Sequence, residues 1–346
     1  MTTPLLRLDN ISKTFERRSI WSASRTPAYA VRNVSLDLHE GQTIALVGES
    51  GSGKSTLGRL AMNLMNPSEG AVRFRGRAVS ELSASGLAVF RRTMQIVFQD
   101  PSAAFNPRRT VYATLAQPLQ LHTDASDATI SKRVDELLDT VGLNPPAAFR
   151  DALPHQLSGG QRQRVMIARA LSVNPTFVVA DEPLSALDVT VQAQILDLLL
   201  LLQRERGIGY LLITHDLALV GEVADQVAVM YRGRVVEYGP AAKVCAAPGH
   251  PYTRLLMAST LSADPANRRI IGGGPVHLPI RPPDTAGSGC SFAARCPLAE
   301  EHCAVEVPVL RSSGDPETQV ACHVTNRGAQ HVAPSGPRVE RHQIGQ

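Results

Sequence analysis

Apolar residues in this chain follow two rhythms. At Val34, Leu36 and Leu38 they alternate with polar neighbours, the period of a half-buried strand. Elsewhere they fall in short unbroken runs: TIALV (43–47), MQIVF (94–98), TFVVA (176–180) and YLLIT (210–214). Runs of that length, rich in β-branched residues, predict buried parallel strands. Between them lie stretches with helical spacing at 55–65, 131–141, 161–171 and 190–206, the last stopped by Gly207. Strands alternating with helices predict an open α/β sheet. VAVMYRGRVVEYG (227–239) predicts a hairpin turning at Arg232 and Gly233. Residues 101–160 carry helical patterns without a strand, as an inserted helical subdomain would.

After Leu261 the periodicity gives way to Pro, Gly and Cys, which predicts a small appended module over 262–326. The closing stretch, 327–346, is polar, as a disordered tail would be. The first part, 1–261, is long enough to bury a large core.

Composition narrows the classes. With 43% apolar and 19% charged residues the chain reads as soluble and globular. A net charge of +4 and 4% aromatics give no sign of nucleic-acid binding. No basic head precedes an apolar core at MTTPLLRLDN, and the most apolar run, ILDLLLLL from Ile195, is too short to span a bilayer and contains Asp197. In a cytosolic setting the five cysteines are expected as thiols or metal ligands, not disulfides. Lysine occurs at four positions only, one of them 54, in a chain that otherwise uses arginine. A compact ammonium has a specific use there.

GESGSGKST (48–56) follows the strand TIALV and opens a helix, the context that distinguishes a phosphate loop from a plain glycine-rich turn. Gly48, Ser50, Gly51, Ser52 and Gly53 bring backbone N–H groups onto phosphate oxygens. Lys54 reaches the β/γ-phosphates, Ser55 ligates Mg²⁺, and Thr56 continues the cradle. TFVVADEP ends a strand in two carboxylates: Asp181 suits the magnesium shell, and Glu182 stands where an attacking water must be oriented. Gln99 and His215 end two further apolar runs. In open α/β sheets ligands bind at that carboxyl edge.

A second anion cradle is written into LSGGQ (157–161). Ser158 and Gln161 stand in capping-box relation, so a helix starts at Gly159 with two glycines in its bare first turn. The ordered set of GESGSGKST, Gln99, LSGGQ, VVADEP, SALD (185–188) and His215 resembles an ABC-type ATPase. That resemblance implies a P-loop α/β domain with an inserted helical subdomain, using ATP and Mg²⁺. It also implies head-to-tail pairs, in which Ser158, Gly159, Gly160 and Gln161 face the nucleotide held by the partner's phosphate loop. Glu182, His215 and Gln99 become the hydrolytic residues, Ser55, Gln99 and Asp181 the magnesium ligands, and Asp188 part of the nucleotide site. Phe15 in ISKTF matches the adenine-stacking aromatic, with Tyr29 as its rival.

FQDPSAAFNPRRTV (98–111), ALPHQLSGGQRQR, PGHPYTRLLMAS (248–259) and the cysteine-bearing tail resemble the oligopeptide/dipeptide importer ATPase subunits. That narrower resemblance implies peptide import, a paralogous second ATPase, two permeases with a cytoplasmic helix received after Gln99, and an external binding protein. The chain would sit peripherally on the cytoplasmic face of the inner membrane. The same engine could serve nickel, glutathione or another solute. A soluble ABC ATPase acting on DNA or the ribosome usually carries a coiled-coil insertion or a second ATPase domain, and neither is seen in this sequence.

Cys290, Cys296, Cys303 and Cys322 cluster where secondary-structure signals fade, and core-poor modules commonly need a metal. Their spacing allows a tetrahedral zinc or a [4Fe–4S] cluster, and His302 and His323 keep a mixed zinc site open. The subfamily resemblance favours a structural iron–sulfur cluster. Cys245 lies outside the group and reads as an ordinary buried residue.

Overall fold

The computed structural model describes residues 3–18, 25–185, 187–259 and 289–329. Its larger sheet is built from β3 (Thr43–Val47), β6 (Met94–Val97), β7 (Phe177–Asp181), β8 (Gly209–Thr214), β9 (Gln226–Tyr231), β10 (Arg234–Pro240), β11 (Arg311–Ser312) and β12 (Gln319–Val320). The order across it is β11-β12-β10-β9-β3-β8-β7-β6. From β9 to β6 the strands are parallel, and β10, β12 and β11 extend the sheet antiparallel. Three of the unbroken apolar runs are thus central parallel strands buried on both faces, and the fourth, β6, is an edge strand, with Gln95 and Ile96 half-buried.

A second, antiparallel sheet runs β2-β1-β4-β5, from β1 (Leu6–Arg18), β2 (Arg25–Leu38), β4 (Glu69–Phe74) and β5 (Arg77–Ala78). Side-chain alternation along β3 sorts the layers. Ile44 and Leu46 pack with Leu6 and Leu8 of β1 and with Leu57 of α1 (Lys54–Ala61). Phe90 of α2 (Ala84–Thr93) closes the same core, edge-on to Phe74 at 5.3 Å between ring centres. Ala45 and Val47 face the opposite side, toward α8 (Leu217–Val223), α9 (Ala241–Ala246) and Tyr252 of α10 (Pro251–Ser259). A third core joins Val178, Ala180 and Leu212 to α6 (Gly159–Leu171) and α7 (Val189–Arg206). The helices between β6 and α6 are α3 (Pro101–Ala104), α4 (Val111–His122) and α5 (Asp127–Thr140), whose apolar stripes of Leu115, Val134 and Leu137 complete that core.

Local signals explain the boundaries. Ser158 Oγ accepts from the Gln161 N–H at 3.2 Å, and Gln161 Oε1 accepts from the Ser158 N–H at 2.9 Å, so α6 begins at Gly159 by the capping box. Gly207 ends α7 at φ 64°. Arg232 (φ 44°) and Gly233 (φ 82°) make the two-residue turn that pairs Tyr231 with Arg234. The helix after the phosphate loop is shorter than its pattern predicts, ending at Ala61. β1 escaped the pattern because register shifts between Leu8, Ile11, Lys13 and Thr14 break its alternation, with Asn10 at φ 49°.

The C-terminal segment, which includes α11 (His323–Ala329), docks on this frame. β12 pairs with β10, and Phe292 is fully buried, 5.3 Å from the Tyr231 ring and 5.5 Å from that of Tyr252. Lys243 pairs with Asp315 at 2.7 Å and also with Glu317. Phe292 joins the core that Ala45 and Val47 face, so the segment shares that core with the sheet. Cys290 and Cys296 pack against that core, Cys303 and Cys322 are buried, and burial pushes the Cys290 and Cys296 thiols up, away from the thiolate form. Among the described residues no group of three or more His, Cys, Asp or Glu could hold a metal ion, so neither the [4Fe–4S] cluster nor the zinc alternative with His302 and His323 finds support. The stretches 262–288 and 330–346 of the expected module and tail lie outside the described residues.

Beneath the docked segment, the buried Glu237 carboxylate accepts N–H groups from Gly249 (2.7 Å) and His250 (2.9 Å). His250 is equally buried, and its Nδ1 accepts the Tyr252 N–H at 3.0 Å, a role only the neutral ring can fill. Burial pushes its pKa down from 6.5 to about 4. Between those values the unfolded chain binds a proton that the native state refuses, so this contribution to stability is full above pH 6.5 and lost as pH falls toward about 4. We expect denaturant titrations to show a loss of up to about 3 kcal/mol across that window, absent in His250→Gln. Glu237, whose pKa burial raises, is common to both proteins and drops out of the difference.

Candidate nucleotide site

The loop between β3 and α1 is shaped by glycines that nothing larger could replace. Gly48 (φ 154°) and Gly53 (φ 107°) have backbone angles that side chains rarely adopt. A Cβ on Gly48 would meet the Met230 carbonyl oxygen at 2.2 Å, and one on Gly53 would meet that of Ala30 at 2.1 Å. The loop is therefore wedged between the end of β9 and β2. The hairpin turn adds to the wedge, for the Gly233 N–H donates to the Ser52 carbonyl at 2.8 Å. Gly51 is also left-handed (φ 78°) but faces open space.

Gly53 caps α1 without a side-chain partner, so the first-turn amides, including those of Ser55 and Thr56, carry no cap of their own. Ser52 Oγ is buried with no hydrogen-bond partner, an orphaned polar atom in the cradle. Lys54 is 4% exposed, its Nζ donating to the carbonyls of Gly48 (2.7 Å) and Glu49 (3.0 Å). Burial lowers its pKa, against the attraction of Glu182, Asp181 and Glu49.

The strand tips bring the remaining groups in. Ser55 Oγ donates to Asp181 Oδ1 at 2.9 Å. A hydroxyl has one proton and two lone pairs, so Ser55 can hold Asp181 and still offer oxygen to a cation. Asp181 is buried, which raises its pKa, while the Ser55 bond opposes the shift. This pair of hard oxygens fits Mg²⁺, with the Gln99 amide close by. Glu182 sits at φ 46°, a left-handed angle costly for a residue with a Cβ, and its N–H donates to the Ile213 carbonyl at 3.0 Å. Gln99 Nε2 donates to Glu182 Oε2 at 2.7 Å, and His215 Nδ1 lies 3.9 Å from the same oxygen. The His215 side chain is 67% exposed.

Other expected residues lie apart. Ser158 is exposed, and the glycine turn that follows packs on the start of α7, where a Cβ on Gly160 would meet Val191 Cγ1 at 2.7 Å. Asp188 caps α7, accepting the Val191 N–H at 2.9 Å. Phe15 and Tyr29 are both exposed aromatics on the paired strands β1 and β2, one residue out of register and beside Ala30, which touches the loop. Two loop contacts escaped the sequence reading. Tyr252 Oη accepts the Glu49 N–H at 2.8 Å, and Arg295 forks onto the Glu49 carboxylate. Their signals in the sequence were the PGHPY segment and an arginine next to Cys296.

A glycine-cradled lysine, a serine–aspartate oxygen pair and a glutamate at the next strand position define a P-loop ATPase site of the ABC type. Comparison with known proteins agrees. The ABC transporter family profile matches residues 31–185, and that of the oligopeptide/dipeptide transporter C-terminal region matches 236–303. The probable peptide ABC transporter ATP-binding protein y4tS of Sinorhizobium fredii is 43% identical over 97% of this chain and 94% of its own. The putative oligopeptide transport ATP-binding protein YkfD of Bacillus subtilis is 43% identical over 93% and 95%. The glutathione import ATP-binding protein GsiA of Salmonella typhimurium is 48% identical over 77% of this chain and 42% of its own. Among solved structures, cbiO1 of Clostridium perfringens superposes with a TM-score of 0.60 at 29% identity, covering 71% of this chain and 92% of that one. The MJ0796 cassette, solved as a dimer with ADP and Pi, gives 0.60 at 32%, covering 68% and 98%. The chain belongs to the ABC transporter ATP-binding proteins, in the branch that carries the oligopeptide/dipeptide transporter C-terminal region.

Gly53→Ala is the sharpest test of the loop geometry. The added methyl can be relieved only by moving β2 or the loop, so nucleotide affinity should fall by about a hundredfold or more in equilibrium binding. Binding within about threefold of the parent would show that the wedge does not shape the cradle.

Proposed function

We propose that this chain binds and hydrolyses ATP to energise import of di- or oligopeptides through a membrane transporter. The observation that carries the reading is the convergence of Lys54, Ser55, Asp181, Glu182, Gln99 and His215 on one edge of the parallel sheet. Phosphates would lie on the loop amides and on Lys54. Ser55, Asp181 and Gln99 would hold Mg²⁺, which when bound neutralises phosphate charge. Glu182 is the general base that orients the attacking water, Gln99 fixes its carboxylate, and His215 lies on the γ-phosphate side. Phe15 or Tyr29 would stack on adenine.

The exposed Ser158 and the bare glycine turn that follows it support a head-to-tail pair, in which each chain offers Ser158–Gln161 and Asp188 to the nucleotide of the other. Charge on the bridging phosphates draws the two chains together, and departure of the cleaved phosphate releases them. The partner is a second ABC ATPase, a paralogue, acting with two permeases and an external binding protein. A groove of mixed character, lined by Ile96, Phe98, Pro118, Leu121 and Met166 together with Gln95, Gln117, His122 and Arg169, supports docking of a permease helix beside the stretch after Gln99, and Leu121 is 70% exposed there. Among the described residues no helix is long and apolar enough to cross a membrane, so the permeases would supply the membrane part and hold the chain at the cytoplasmic face. In this reading 1–261 form the ATPase unit, with 101–160 its helical subdomain, 262–326 the C-terminal module and 327–346 the tail. The GsiA likeness keeps glutathione as the second cargo.

Glu182→Gln should keep ATP binding and trap the closed pair while turnover falls by about a hundredfold or more. Near-normal phosphate release would remove Glu182 from the base role. Ser158→Arg should abolish turnover at the partner's site while its own Lys54 site still binds ATP. Unchanged activity of the assembled transporter would refute the shared site.

A further inference from the structure

Glu49 is an awkward neighbour for a triphosphate. It follows the first glycine of the phosphate loop, and its carboxylate is one of three whose negative charge reaches the Lys54 ammonium. Left unpaired, it would repel the ligand that the loop is built to hold. Two groups from the C-terminal part of the chain restrain it. Arg295 donates through Nη1 to Oε2 and through Nη2 to Oε1, both at 2.9 Å, a two-pronged pair that fixes the carboxylate's orientation. The guanidinium lies 5.8 Å from the ring centres of both Tyr231 and Phe292, which hold it in place. Tyr252 takes the Glu49 backbone N–H, so that amide is turned toward the C-terminal segment and not into the cradle. Tyr252 is itself fixed by the turn that Glu237 clamps through Gly249 and His250.

We propose that Arg295 is a positioning residue for nucleotide binding. By pairing with Glu49 it keeps that carboxylate's charge off the triphosphate, so the C-terminal segment sets the affinity of the ATPase for MgATP. The proposal rests on the nucleotide-site reading above. It differs from a plain tether in what restores it: removing the Glu49 charge cannot rebuild a lost tether, whereas it does cure an uncompensated charge.

The test uses the full chain and a fluorescent ATP analogue with Mg²⁺. Arg295→Met should weaken binding about tenfold, with less effect at high salt because the pair is partly exposed. ATPase KM should rise in step while kcat stays within about twofold, since the Glu182 group is untouched. Adding Glu49→Gln to Arg295→Met should return affinity to within about threefold of the parent. Arg295→Lys, which keeps the charge and loses the fork, should fall between, and it serves in place of Arg295→Met if that variant does not fold. Affinity of Arg295→Met within about twofold of the parent, a double variant as weak as the single, or a fall in kcat at constant KM would each overturn the proposal. A parent that does not bind the analogue would instead overturn the nucleotide reading itself.

Discussion

The whole site hangs on how tightly one loop is pressed between two strands. Gly48 lies under the last carbonyl of β9's apolar run and Gly53 under Ala30 of β2, each with no space for a single methyl. That closeness has two consequences. It fixes the direction of the loop's amides without any side chain to steer them, which an anion cradle requires. It also ties the antiparallel sheet to the parallel one at the point where the nucleotide binds, so the exposed aromatics of β1 and β2 arrive beside the loop.

Burial then sorts the charges around that loop. Desolvation pushes Lys54 toward neutrality and Asp181 toward protonation, and the attraction between the two opposes both shifts; Glu182 favours the charged Lys54 but disfavours the charged Asp181, which the Ser55 hydroxyl favours instead. A group of charges balanced in this way is sensitive to any anion or cation that enters. Glu182 differs in kind: its strained backbone is locked by bonds to Ile213 and Ser185, and its carboxylate by Gln99. Such rigidity suits the proposed role of Glu182 as base, because a water can be aligned only by an acceptor that does not itself move.

Much of this was legible in the sequence. The parallel strands announce themselves as unbroken apolar runs because both faces are buried, and the capping box of Ser158 and Gln161 fixed the start of α6. β1 was not legible, since its register shifts and the left-handed Asn10 erase the period of two on which such a reading depends. That residues 48–56, 99, 181, 182 and 215 come together could be read because each ends or follows a strand of the parallel sheet. The braces on Glu49 could not: Tyr252 and Arg295 are distant in sequence, and only the fold brings them to the loop.

The cysteine-bearing segment shows what composition leaves out. Four thiols in a glycine- and proline-rich stretch suggest a module too poor in apolar area to stand alone. That inference assumes independence, and the segment is not independent. β12 extends the sheet of the ATPase, Phe292 packs against both Tyr231 and Tyr252, and Arg295 reaches the phosphate loop. A segment whose core and charges are both shared with the ATPase has an attachment of its own to the phosphate loop, through Glu49. The same contacts that stabilise it therefore give it a lever on the nucleotide.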